Sequence, residues 1–168
     1  MPNTATTPPP PASLTKLLRD FNTPWKMRLY FLQKLPSCLF WGIRVESVDL
    51  KQGVVSIPFS WRTQNPFRSI YFAALCGAGE LSSGLLAVAA LRDQPPVSML
   101  VTNIEARFVK KADTLTTFTC QDGQALRDTV QRALDTGEGQ ELVVRSTGRN
   151  TDGAVVCELT LTWSFKRK

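Results

Sequence analysis

The sequence predicts an α+β protein in which one long, nearly uncharged helix is wrapped by a single antiparallel sheet of about six strands. Two observations carry this. Residues 69–91 are small, apolar or uncharged polar, enough for several helical turns, and a single charge interrupts them, Glu80. On either side the pattern has a period of two, most plainly at the C-terminal end. There Val155, Cys157, Leu159, Leu161, Trp163 and Phe165 fall on one face, and Glu158, Thr160, Thr162 and Ser164 on the other. The order helix, two strands, long helix, about four strands argues against a parallel sheet, which needs strands alternating with helices. Gly and Ala in the central helix let a sheet approach closely and bury it.

Residues 1–12 hold five of the eleven prolines and no charged side chain, which predicts a disordered tail. Residues 13–168 are then a single domain, opening with a helical segment over 13–35. Its apolar positions are Leu14, Leu17, Leu18 and Phe21, then Met27, Tyr30, Phe31 and Leu35. Ser13 is its expected N-cap, Pro24 its break and Pro36 its end. Residues 39–50 and 54–59 read as a hairpin joined at Gln52-Gly53. A loop over 61–68 contains Asn65-Pro66, and the central helix follows and closes at 93–96. Strands are expected over 97–109 and 114–121, a short helix over 123–134, and strands over 141–147 and 155–165.

Composition narrows the chemistry. The chain of 168 residues has no histidine and four scattered cysteines, with no Cys-x-x-Cys pair. A zinc site from the usual ligands and any histidine-based triad are therefore not expected, and neither is a metal or cofactor. Acid-base work falls to a carboxylate, Lys, Tyr or Cys, although buried, reduced thiols are the default reading. The net charge of +6 is dispersed, with no long basic run interleaved with aromatics, so nucleic acid is not an expected partner. Residues 69–91 also reach the roughly 20 apolar residues a bilayer span needs. The mid-run Glu80, the dense Gly and Ser, and the alternating sequence that follows argue against a span. The N-terminus lacks a basic-then-apolar leader pattern, which places the expected location in the cytoplasm.

Glu80 is the sharpest candidate residue. On a helix its neighbours three and four positions away are Cys76, Gly77, Ser83 and Gly84, all small and none cationic. A carboxylate on such a wall borders a slot for something narrow, and exclusion of water raises its pKa. Two plainer readings stay open: a salt bridge to a distant Arg or Lys, or a side chain facing solvent.

In that order of elements the chain resembles the hotdog-fold thioesterase superfamily, nearest to the phenylacetate-type acyl-CoA thioesterase branch and its relatives of unknown function. The residues that carry the resemblance are Asn65-Pro66-Phe67-Arg68, Tyr71-Phe72-Ala73-Ala74, Glu80-Leu81, and the run from Ile104 through Lys110-Lys111-Ala112-Asp113-Thr114-Leu115. It covers roughly residues 39–168. The resemblance implies hydrolysis of a thioester, acyl-CoA or acyl-carrier, with Glu80 as base or nucleophile and the Phe72 and Ala73 amides as oxyanion hole. Tyr71-Phe72-Ala73 stands where such enzymes usually carry a His-Gly-Gly or similar triplet; backbone donors survive that change because they do not depend on side-chain identity. Asn65 is implied as an auxiliary polar group, although Asn before Pro also simply starts turns. Tyr71 and Ser83 are candidates for substrate contact, Ser82 and Ser83 also for helix packing across a dimer. Arg68, Arg107, Lys110 and Lys111 are candidates for coenzyme A phosphates or plain surface charge. The resemblance further implies a homodimer or dimer of dimers with a shared site; a non-catalytic acyl-binding or lipid-binding protein of the same fold is the alternative.

Overall fold

The computed structural model describes residues 9–168, so most of the expected tail over residues 1–12 lies outside the described residues. Three short helices come first, α1 (Ala12–Phe21), α2 (Pro24–Lys34) and α3 (Pro36–Trp41). Then come the strands β1 (Arg44–Val48) and β2 (Gly53–Ile57) and the long helix α4 (Phe72–Ala90). The chain ends with β3 (Val97–Phe108), β4 (Thr116–Cys120), α5 (Gly123–Thr136), β5 (Gln140–Arg149) and β6 (Val155–Arg167). All six strands form one antiparallel sheet in the order β1-β2-β4-β5-β6-β3. The sheet wraps α4, which is the hotdog arrangement.

Two expectations are corrected. Ser13 stands inside α1, whose N-cap is Pro11, and does not cap it. α2 ends at Lys34, just before Pro36 as expected, but Pro36 also begins a further helix, so the strand expected from residue 39 starts only at Arg44. Proline at the first helical position loses no hydrogen bond and has its φ already set. Gly42 then closes α3 in the left-handed conformation, φ 72°, which a residue without a Cβ adopts freely. The hairpin that follows is fixed by Asp49, whose carboxylate accepts from the Lys51 and Gln52 amides at 2.6 and 2.8 Å.

Close approach between α4 and the sheet depends on glycine from both sides. A Cβ on Gly79 of α4 would stand 2.2 Å from Leu159 Cδ1 and 3.0 Å from the Phe118 ring. A Cβ on Gly53 of β2 would stand 2.2 Å from the Ser82 carbonyl oxygen. Ser82 Oγ donates within 2.7 Å of the Gly79 carbonyl and shares a 2.8 Å hydrogen bond with Ser146 Oγ of β5. Ser83 Oγ donates to the Glu80 carbonyl at 2.9 Å and accepts from Trp163 Nε1 at 3.1 Å. Both serines thus pack against the chain's own sheet and not across a dimer, as the sequence had suggested. Phe118, Phe165 and Leu161 are fully buried beneath the helix, each contributing about 1.5–3 kcal/mol of apolar burial. Among the described residues α4 is long and apolar enough to cross a bilayer, with 67% of its most apolar window buried inside the fold.

β3 is different. It is a twelve-residue edge strand paired only with β6, and beyond Val101 it is exposed throughout, Ile104 and Phe108 included.

Candidate active site

Glu80 sits midway along α4 on a half-buried surface between two glycine shoulders. A Cβ on Gly84 would lie 3.1 Å from Glu80 Oε1, and one on Gly77 would lie 3.1 Å from the Trp41 ring. Among the described residues the carboxylate has no ion-pair partner, so the salt-bridge reading falls. It does not stand free in solvent either: loss of water pushes its pKa above the ordinary carboxylate value of 4.5. Cys38 of α3 is its close titratable neighbour. Burial first, and the Glu80 charge second, push that thiol up to about 11.

The second part of the site is the start of α4. Tyr71 is the N-cap with φ −62° and ψ 135°, and no side chain caps the helix. The Ala74 and Leu75 amides donate to the Tyr71 carbonyl, and the Tyr71 amide donates to Thr63 at 2.7 Å. Among the described residues that leaves the Phe72 and Ala73 amides as unclaimed donors at the positive end of a nineteen-residue helix. Beside Phe72 opens a cavity of about 280 Å³ whose walls are mostly apolar, and Ala73 does not line it. Phe67, Ile70, Leu75 and Phe108 form those walls, with Tyr71 and Phe72 at the helix start and Asn65 and Lys110 as polar edges.

The cavity therefore gathers Asn65, Tyr71, Phe72 and Lys110 from the predicted set. Asn65 Oδ1 is occupied by its own loop, accepting from the Phe67 amide at 2.9 Å and from the Ser69 amide and hydroxyl at 3.2 Å each. Its Nδ2 has no partner among the described residues. Arg68 (φ 57°) and Lys111 are exposed and do not line the cavity, and Arg107 lies 3.9 Å from Glu158 on the open face of β3. Ser83 is buried under Trp163, outside the cavity. Sequence reasoning missed Phe67 and Phe108 as walls; both lie within stretches that carry the family resemblance, but only the fold brings the two side chains to one cavity. It also missed Cys38 and Trp41, because α3 was not expected.

Glu80 lies eight residues beyond Phe72, or about 12 Å along the axis at 1.5 Å per residue. A glutamate side chain does not cover that distance. Within one chain, the carboxylate and the helix-start amides cannot act on the same carbonyl carbon.

Known structures share this architecture at low sequence identity. A protein of unknown function from Pseudomonas aeruginosa, described as a probable thioesterase, superimposes with a TM-score of 0.70 at 18% identity. The match covers 86% of this chain and 97% of that one. A thioesterase from Haemophilus influenzae gives 0.63 at 14% identity, covering 86% and 91%. A protein of unknown function from Chlorobaculum tepidum gives 0.73 at 14% identity, covering 94% and 100%. No curated protein matches the chain in sequence. The profile of one family, described as "Domain of unknown function (DUF4442)", matches residues 24–165, from α2 to the end of the sheet, and the chain belongs to that family.

Proposed function

We propose that this protein hydrolyses an acyl thioester, an acyl-CoA in the first instance, with Glu80 as general base. The observation that carries this is the unpaired, partly desolvated carboxylate between two glycine shoulders, on the same helix whose N-terminus opens onto an apolar cavity. In this reading the acyl group lies against Phe67, Phe72 and Phe108. The carbonyl oxygen accepts from the Phe72 and Ala73 amides, which stabilise the charge that develops on it. Glu80 takes a proton from water as the water oxygen bonds to the carbonyl carbon. The C–S bond then breaks, and the thiolate leaves and is protonated, by Glu80 or by solvent. Lys110 at the cavity edge suits the phosphates of coenzyme A.

The 12 Å gap along α4 makes a second copy part of the proposal, with Glu80 of one chain facing the helix start of the other. The open edge of β3, with its unpaired backbone groups and exposed Leu100 and Ile104, suits such a pairing.

The test is release of coenzyme A from short, medium, long and aromatic acyl-CoAs, followed by chromatography. Wild type and Glu80→Gln are run together. Turnover by wild type with a loss of about 100-fold or more in the variant supports the reading. Equal turnover removes Glu80 from the chemistry. Acyl-CoA binding without turnover by either protein points to an acyl-binding role on the same fold.

A further inference from the structure

The helical cap over the β1 edge carries a surface unrelated to the thioester site. Three arginines, Arg28 of α2, Arg44 of β1 and Arg62 of the loop after β2, line one cavity of about 140 Å³ with Leu39, Gly42 and Pro58. Arg62 lies over Gly42, so closely that a Cβ there would be 3.3 Å from its Nη2. None of the three has an ion-pair partner among the described residues. Glu46 lies in the adjoining cleft with Arg28 and Arg44, and its carboxylate accepts from the Ser56 hydroxyl. Three unpartnered guanidinium groups around one cavity form a receptor for a phosphate.

Exposed apolar side chains lie on the same segments as the cavity residues. Met27 and Phe31 bury the inner face of α2, yet its outer stripe, Trp25, Leu29 and Leu32, is also apolar, with Trp25 65% and Leu32 61% exposed. Phe40 and Trp61, next in sequence to the cavity residues Leu39 and Arg62, pack edge to face at 6.0 Å and remain 52% and 73% exposed. Lys34, and Lys26 in its ion pair with Asp20 at 2.5 Å, flank the stripe.

We propose that this face docks onto an anionic phospholipid surface, with the three-arginine cavity holding a lipid phosphate and the apolar side chains entering the headgroup region. The complementarity is twofold: phosphate for arginine, and acyl boundary for tryptophan and leucine on a helix with basic flanks. A second copy is a poor occupant, because a self-paired face sets three unpaired arginines against three more. The face lies at the β1 end of the sheet, opposite the β3 edge, so it stays open when β3 is paired.

The full chain is sedimented with vesicles of phosphatidylcholine, with and without phosphatidylglycerol. The expected result is binding only where phosphatidylglycerol is present, weakening as salt rises, with a blue shift in tryptophan emission. The Arg28→Gln/Arg44→Gln/Arg62→Gln variant binds about 100-fold more weakly, and Trp25→Ser/Leu32→Ser also loses binding. All five positions are exposed, and thermal melts of the variants check that each is folded before its binding is read. Absence of vesicle binding, equal binding to both vesicle types, or full binding by the arginine variant overturns the proposal. So does binding of glycerol phosphate, or of an acidic protein, without binding to vesicles.

Discussion

Two glycines of α4 five residues apart face different surroundings, so the same substitution has opposite outcomes at them. Alanine in place of a helical glycine gains about 1 kcal/mol from backbone entropy alone. At Gly84 the new methyl meets Glu80 Oε1 at 3.1 Å and Trp163 Cη2 at 3.7 Å. Only the carboxylate must yield, by a few tenths of an ångström, and it is the tip of a flexible side chain. Most of the gain survives, so Gly84→Ala raises the melting temperature by about 2–4 °C for a chain of this length. The displaced carboxylate lowers thioester turnover about 10-fold, since misplacement by a full ångström costs about 100-fold. At Gly79 the methyl meets Leu159 Cδ1 at 2.2 Å and Phe118 at 3.0 Å, both fully buried. Overpacking there costs about 3 kcal/mol, which leaves a net loss near 2 kcal/mol and a fall of about 4–8 °C. Calorimetry of both variants, with turnover of the better acyl-CoA, is the assay. A destabilised Gly84→Ala means that Glu80 is held rigidly as a structural group. A stabilised but fully active one means that its position does not matter to the chemistry.

Four more outcomes follow from the same site. Because burial raises the Glu80 pKa above 4.5, its ionisation costs folding stability as pH rises from the unfolded value through the folded one. Glu80→Gln is therefore more stable than wild type at neutral pH, and thermal melts show the difference fading below about pH 4.5. Wild-type kcat/KM rises with pH through that same raised pKa, an acidic limb that a rate profile of the variant lacks. Phe72→Pro removes one helix-start donor at a position where proline fits, since Tyr71 already has the extended ψ of 135° that a residue before proline prefers. Its turnover falls about 100- to 1000-fold while Phe72→Ala, which keeps the amide, loses far less. Mixed and re-equilibrated, Glu80→Gln and Phe72→Pro recover roughly one quarter of wild-type turnover if each site draws on two chains, one intact site in half of the dimers. No recovery, checked by the same coenzyme A assay, refutes a site shared by Glu80 of one chain and the helix start of another.

Where the fold was legible in the sequence, one local pattern decided it. The period of two over β6 and the small-residue run of α4 each report on a single element, and both elements stand where they were expected. Pro36 ended α2 as expected but also began α3, because proline both ends helices and starts them, and the second role was not legible at the residue itself. Glu80 was visible because its charge is alone in its run; its lack of a partner was not, since that depends on what the sheet and α3 bring near it. The cavity at the helix start joins Phe67, Phe72 and Phe108, and the arginine cavity joins positions 28, 44 and 62. Each set converges from at least three segments, so no spacing along the chain encodes it. Glycine was legible as a sign of close approach, yet its partners were not: Gly79 of α4 faces the sheet and Gly53 of β2 faces the α4 backbone, whereas Gly84 borders the carboxylate and Gly77 the Trp41 ring.

With no histidine in the chain, two side chains compete for the chemical role at the middle of α4, the Glu80 carboxylate and the Cys38 thiol. Their pKa values divide the work. A thiol is nucleophilic as thiolate, and one raised to about 11 is almost wholly protonated at neutral pH. Desolvation acts on both groups in the same direction but from different starting values, 9.0 for the thiol and 4.5 for the carboxyl. It carries the thiol further from neutrality and the carboxyl towards it, where a general base is most effective. The coupling between them reinforces the split, because an ionised Glu80 disfavours the thiolate. Cys38 thus stands beside the carboxylate as a neutral, compact neighbour, excluding water without adding charge. Had the cysteine been the nucleophile, the surroundings would need to be electropositive; among the described residues no cation pairs with either group, and that arrangement serves a proton acceptor.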